Sequence, residues 1–230
     1  IIHMGTDDQK KRFLTRFTGP EPRLGALCLT EPDAGSDVAN ISTTAKEDGN
    51  HWVLNGVKRF ITNGGIADIH VVFATVDKSL GYFGIRAFVV EHDTPGLKAG
   101  KVEDKMGVRA SHTAEVILDD CRIPAGNLLG ADEKTAFYGA MKTLESSRPL
   151  VAAGAVGIAR AAYEYALDYA RKRKAFGSPI AKKQGIAFML ADMKTKIDAA
   201  RLLTWRAASM RDRGMPMNKE ASMAKLFAAD

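Results

Sequence analysis

Cysteine is scarce in this 230-residue chain: only Cys28 and Cys121 occur. They allow at most one disulfide, and no C-x-x-C spacing exists for a metal or redox centre. Both read as ordinary buried thiols, and the composition fits a reducing compartment. No G-x-G-x-x-G or G-x-x-x-x-G-K-[ST] spacing occurs, which excludes the phosphate cradles of the dinucleotide and P-loop folds. No stretch approaches the roughly 18 consecutive apolar residues of a membrane span, and no charged-then-apolar opening suggests secretion. The five histidines, His3, His51, His70, His92 and His112, show no i, i+4 pairing or carboxylate spacing, so no metal site is expected.

What remains is a chain with 46% hydrophobic residues, enough for a sizeable core in one or two domains. Its 33 Lys and Arg against 27 Asp and Glu leave a net charge of +6, which favours anionic partners. Much of the excess sits at Arg171, Lys172, Arg173 and Lys174, with Lys182 and Lys183 close behind. Such a cluster suits a local phosphate contact better than a stripe along nucleic acid; a solvated helix end is the alternative. The opening Ile1-Ile2-His3 and the helical pattern still running at Asp230 read as two cut ends of something longer.

Residues 7–17 are expected to form a helix with Thr6 as its cap, acids in its first turn, and Phe13, Leu14 and Phe17 on one face. From residue 24 to about 122 the apolar residues come instead in short runs, at 41–45, 52–54, 57–62, 69–76, 85–90 and 114–118. Gly, Asn, Asp and Pro break them, the pattern of an antiparallel β-barrel or sandwich domain. Asp48-Gly49-Asn50 and Asn55-Gly56 carry hairpin signals, since Gly takes positive φ without steric cost. After residue 130 the pattern turns helical. One long stretch runs from Asp132 to about Lys172, with Pro149 inside it, and another over 180–213 is closed by Gly214 and Pro216. Helices this long imply an up-down bundle.

Five strings carry chemistry: LTEPDAGSD at 29–37, FITNGG at 60–65, DKMGVRAS at 104–111, a D-x-R-x-P-like connector at 119–124, and RKAFGSPI at 173–180 followed by Gln184. In this order and spacing the chain resembles the acyl-CoA dehydrogenase family of flavoproteins over essentially its whole length. The resemblance implies three segments: residues 1–23 as the end of a helical domain, 24–131 as a β domain, and 132–230 as an incomplete helical bundle. It implies FAD as cofactor and an acyl-CoA thioester as substrate. An electron-transfer flavoprotein would be the electron acceptor and a homotetramer the assembly, in a bacterial cytoplasm or mitochondrial matrix. No membrane partner is expected.

By the same resemblance, Leu29, Thr30 and Thr62 would meet the flavin ring. Phe60 stands where many members carry a Trp against that ring, which keeps the apolar face but loses the indole N–H. Arg173, Phe176 and Gln184 match positions that reach the FAD of a neighbouring subunit. Ser36, Glu145 and Arg148 would meet the acyl-CoA.

A base able to take the α-proton of a thioester is harder to find. In most of the family that glutamate lies beyond residue 230, and in a minority it precedes the arginine matched by Arg148, where this chain has Ser147. Glu145, two residues earlier, lies about 200° round a helix from that position. No catalytic base is therefore expected within these residues. An acyl-CoA oxidase or nitroalkane-oxidising relative remains an alternative. So does a flavin-bearing DNA-associated member, although nucleic acid is the less favoured partner.

Overall fold

The computed structural model describes residues 1–130 and 136–230, so the expected helix start at Asp132 and the expected domain boundary at 131/132 lie outside the described residues. The chain divides into two compact units, Ile1–Ala140 and Met141–Asp230.

The first unit opens on α1 (Asp7–Leu14). Thr6 accepts from the Gln9 amide, and the Gln9 side chain accepts from the Thr6 amide, a reciprocal box that satisfies two otherwise orphaned donors. The expected extension to residue 17 is a 3-10 turn, Thr15–Phe17. Its tighter period takes Phe17 off the face of Phe13, so Phe13 is fully enclosed while Phe17 is exposed.

Seven strands follow: β1 (Gly25–Cys28), β2 (Thr44–Asp48), β3 (His51–Thr62), β4 (Ile69–Thr75), β5 (Ile85–Glu91), β6 (Leu97–Val102) and β7 (Thr113–Pro124). They form one sheet in the order β1-β4-β2-β3-β7-β6, with β5 joined to β4. The expected antiparallel pairing holds for β2-β3, β3-β7, β4-β5 and β6-β7, but β1 runs parallel to β4, and β2 meets β4 in parallel at Thr44 and Thr75. Side chains from most of the strands, among them Cys28, Ala45, Leu54, Val72, Phe88, Leu118 and Ile123, share one core, round which the sheet curls. Trp52 packs on Phe88 there, with ring centroids 5.2 Å apart. Strands β4 and β5 are buried on both faces for nearly their whole length, which explains their unbroken apolar runs.

The two hairpin signals diverge. Gly49, at φ 59°, turns β2 into β3 as expected, with Asp48 paired to His51. Asn55-Gly56 makes no turn and lies inside β3, where the register slips: Leu54 pairs Cys121, but Gly56 pairs Leu118. The one extra residue on β7 makes a bulge in which Asn55 Nδ2 donates to Asp120 Oδ1 at 3.0 Å and the Asp120 amide donates to Asn55 Oδ1 at 2.8 Å. Glycine is required at 56, since a Cβ there would come within 2.5 Å of Thr43 Oγ1.

In the second unit, α2 (Ala136–Lys172) runs unbroken through Pro149, and a two-rung hairpin of β8 (Lys174–Ala175) and β9 (Ser178–Pro179) follows it. Next come α3 (Gln184–Asp212), which begins four residues later than expected because Ile180–Lys182 is a 3-10 turn, and α4 (Asn218–Ala229). Gly214, at φ 66°, ends α3. Small side chains bring the helices together: Ala152, Ala207 and Ala224 form one cluster, and Val156, Ile197 and Ala200 another. One window of α2 reaches a mean hydropathy of 1.2, so by length and composition alone this helix could cross a membrane, which corrects the count of apolar runs. Its alanine contacts with α3 and α4 are those of a bundle helix.

Candidate functional site

The LTEP run leaves β1 at its C-terminal end. Leu29 is buried, Thr30 is half-buried, and the Thr30 carbonyl accepts from the Arg59 amide at 2.9 Å, which lays this run against β3. Glu31 turns inward. Its carboxylate accepts from Lys58 Nζ at 2.7 Å, from the Ser42 amide at 2.6 Å and hydroxyl at 2.7 Å, and from the Thr43 amide at 3.0 Å. Lys58 Nζ also donates to the Leu29 carbonyl at 3.2 Å, and its side chain is fully enclosed. Burial pushes the Glu31 carboxyl up, but the Lys58 charge and the donors around it prevail and hold it at about 2. Burial pulls the Lys58 ammonium below its ordinary range against the opposing pull of Glu31.

One residue past Lys58, β3 bulges. Lys58 pairs Val116 and Ile61 pairs Ala114, so Arg59 and Phe60 together face Glu115. Phe60 takes φ 58°, a left-handed conformation that few non-glycine residues adopt, and its ring is 58% exposed. The Arg59 guanidinium lies 5.1 Å from the centroid of that ring, with Glu115 at 3.7 Å and Glu103 at 3.9 Å from its Nε. Thr62 closes β3 at the surface. Asn63 ties this end to β1, its Nδ2 donating to the Gly25 carbonyl at 3.1 Å. Leu29, Thr30, Phe60 and Thr62 thus occupy adjoining stretches of backbone. The hydroxyls of Thr30 and Thr62 have no hydrogen-bond partner among the described residues. Ser36 stands exposed in the loop that follows Glu31.

The remaining candidates belong to the second unit. Phe176 and Gly177, at φ 52° and 74°, form the two-residue turn of the β8-β9 hairpin, the mirror-image type that suits strand twist. That turn presents the Phe176 ring to solvent at 96% exposure, with Lys183 Nζ 5.5 Å from its centroid. Arg173 follows the last residue of α2 and accepts at its carbonyl from the Ile180 amide at 2.8 Å, and Gln184 is the first residue of α3. The hairpin thus carries Phe176 at its turn, with Arg173 just before it and Gln184 beyond it. On α2, Arg148 Nη1 donates to Asn218 Oδ1 at 3.1 Å. Glu145 lies on the same helix, and Ser147 turns its hydroxyl back onto the Leu144 carbonyl at 2.9 Å.

Sequence reasoning missed Glu31 and Lys58. A signal was present: β3 buries alternate residues, Trp52 and Leu54 among them, and Lys58 has the same parity. Cys28 and Cys121 are buried free thiols, as expected, and burial raises them to about 12 and about 11, well away from reactivity.

A curled, mostly antiparallel sheet followed by a unit of long helices defines a two-part, mixed α and β class of fold. The sequence matches the acyl-CoA dehydrogenase middle domain over residues 26–121 and the acyl-CoA dehydrogenase C-terminal domain over residues 137–230. It is 49% identical to the mitochondrial short-chain specific acyl-CoA dehydrogenase of Rattus norvegicus over 230 residues, all of this chain and 55% of that protein. The solved butyryl-CoA dehydrogenase of Megasphaera elsdenii superposes with a TM-score of 0.95 at 46% identity, covering 100% of this chain and 60% of that one. A chain in the solved electron transferring flavoprotein structure from Acidaminococcus fermentans also gives a TM-score of 0.95, at 47% identity and the same coverage. The chain belongs to the acyl-CoA dehydrogenase family, and spans a little over half the length of these relatives.

The residues present fit the FAD that the family implies. Hydroxyls without partners at Thr30 and Thr62 could each donate to a ring edge, and Phe60 offers an uncovered apolar face beside them. In the second unit, Arg173 and Phe176 are both exposed, a guanidinium fork and an apolar ring of the chemistry a pyrophosphate and an adenine would need.

Proposed function

We propose that this chain forms the middle and part of the C-terminal domain of an FAD-dependent acyl-CoA dehydrogenase that desaturates the α,β bond of an acyl-CoA thioester. The segments 1–23, 24–131 and 132–230 correspond to the end of a helical domain, the β domain and the incomplete bundle. The observation that carries this reading is the junction of the two motifs, where the Arg59 amide on the Thr30 carbonyl sets a partnerless hydroxyl beside the bulged Phe60.

When bound, FAD supplies the acceptor for the β-hydride. Thr30, Thr62 and the backbone at Leu29 would hold the flavin ring and stabilise the negative charge it develops. Phe60 would pack on the ring and keep water from it. Ser36, Glu145 and Arg148 grip the acyl-CoA, and that remote binding orients the acyl chain for reaction. Arg173, Phe176 and Gln184 serve the cofactor of a neighbouring subunit in a homotetramer. Ser147, whose hydroxyl is directed at its own helix, supplies no base for the α-proton at the position preceding Arg148. Electrons leave to an electron-transfer flavoprotein, in a bacterial cytoplasm or a mitochondrial matrix.

Butyryl-CoA dehydrogenase is among the relatives, so short acyl chains are the first substrates to try. Full-length protein mixed anaerobically with acyl-CoAs of graded chain length should lose its flavin absorbance, most completely with short chains. Retention of the full absorbance with every thioester overturns the reading.

A further inference from the structure

The geometry points to the buried Lys58–Glu31 pair as the positioning element that sets the two flavin-facing runs against each other; the inference rests on the flavin-site reading above. Thr30 lies beyond the end of β1, so the ladder that holds Gly25–Cys28 on β4 does not reach it. It is fixed from both sides instead. Lys58 Nζ holds the Leu29 carbonyl before it, and the same ammonium holds the Glu31 carboxylate after it. Glu31 is in turn moored to the start of β2 through the Ser42 amide and hydroxyl and the Thr43 amide. On the other side, Lys58 stands two residues before Phe60 and four before Thr62 on one strand. Together with the Arg59 amide on the Thr30 carbonyl, this contact across 27 residues registers LTEP against FITNGG.

Cohesion does not require these charges. Uncharged side chains of similar volume can replace a buried ion pair with little loss of stability, because the desolvation of both ions is removed with their attraction. Such side chains could not, however, hold the Leu29 carbonyl in place. The particular contribution of the pair is direction.

The test uses full-length protein carrying Lys58→Met together with Glu31→Gln, which leaves no charge unpaired and keeps one acceptor oxygen for the Ser42 or the Thr43 amide. Thermal melting, FAD titration and the flavin midpoint potential are compared with the parent. A cooperative melt should persist, while the FAD Kd rises about ten-fold or more, as when partners behind a ligating residue are removed, and the potential of the residual bound flavin shifts. A folded double variant that matches the parent in Kd and potential overturns the proposal.

Should the double variant fail to fold, Ser42→Ala decides, because it loosens the Glu31 carboxylate without exposing a charge. It should raise the Kd about two- to ten-fold, the range of one ordinary hydrogen bond, with the melting temperature only slightly lower, since the Ser42 and Thr43 amides and Lys58 still hold the carboxylate. An unchanged Kd overturns the proposal. If the parent itself takes up no FAD, the functional reading falls and the inference with it; a parent that binds beside a variant that binds equally well sinks the inference alone.

Discussion

The curled sheet and the helices enclose their apolar side chains to very different degrees. In the sheet, Leu54, Phe73, Phe88 and Ile123 have no exposed surface, and the core draws on most of the strands. In the helical unit the most enclosed residues are chiefly alanines, Ala152, Ala207 and Ala224, while Ile158, Leu202 and Trp205 stand 75%, 63% and 62% exposed. Burial of large side chains is the main source of stability, so the sheet holds itself together, and the helices hold one another through small, close contacts. The difference also separates the site residues. Phe60 and Thr62 sit on the sheet with Thr30 just past the end of β1, whereas Phe176 sits at the turn of a two-rung hairpin between helices and Arg173 just before it.

The largest expected effect tests that contrast directly. Phe88→Ala should destabilise the sheet by about 3–5 kcal/mol, the cost of lost burial plus the cavity left behind. Leu202→Ala should change stability by about 0.5 kcal/mol or less, as at an exposed position with no special role. Denaturant unfolding reports both, and each unit carries one tryptophan, Trp52 in the sheet and Trp205 in the helices. Similar costs at the two positions would break the comparison.

Acid should then weaken the sheet through His70. This side chain is fully buried on β4, where its Nε2 accepts from the Gly65 amide at 3.1 Å. Gly65 itself is confined: φ is 75°, and a Cβ would come within 2.3 Å of Ala99. Burial, with a smaller push from nearby His92, lowers His70 from 6.5 to about 4. The unfolded chain therefore takes up a proton below pH 6.5 that the folded chain refuses until about pH 4. Stability falls as pH drops through that window, by about 3 kcal/mol at most. Glu31 adds a second loss lower down, between its ordinary 4.5 and about 2. Urea midpoints followed by Trp52 fluorescence in a Trp205→Phe background should fall from pH 7 to pH 4. His70→Gln, which still offers an acceptor to Gly65, should flatten that fall; an unflattened profile assigns the loss to another group.

Much of the architecture was legible because local chemistry and tertiary structure agree. The Thr6 box, the Gly49 turn, the doubly buried runs at β4 and β5, and the Gly214 stop all act within a few residues of where they are written. Where partners lie far apart, the reading failed. Asn55-Gly56 spells a turn, yet its outcome depends on Asp120, 65 positions away, and on the Thr43 backbone behind it. Strand β1 was missed because only four residues pair, with one exposed face and a parallel partner. At the site, the motif strings identified which residues to watch, and parity in β3 marked Lys58 as inward, but neither the bulge that turns Phe60 outward nor the choice of Glu31 as the partner of Lys58 has a local signature.

Phe176 sharpens the contrast at the smallest scale, where a hairpin without a core must hold a functional ring. A phenylalanine at φ 52° accepts a conformation that costs an L-residue roughly 1–2 kcal/mol, and no burial offsets it, since the ring is almost wholly exposed. Asparagine tolerates that conformation and, followed by Gly177, makes the pair most favoured in such turns. Phe176→Asn should therefore stabilise the helical unit, by about 0.5–1 kcal/mol, seen as a higher unfolding midpoint by Trp205 fluorescence. If the ring is held in this posture to cover the adenine end of FAD, the same variant should retain less cofactor through gel filtration while Phe88 and its neighbours in the sheet remain undisturbed. A variant that gains stability and loses no FAD would show that the exposed ring serves something other than the cofactor; one that gains no stability would show that the turn, like the sheet bulge at Phe60, is supported by contacts beyond its own residues.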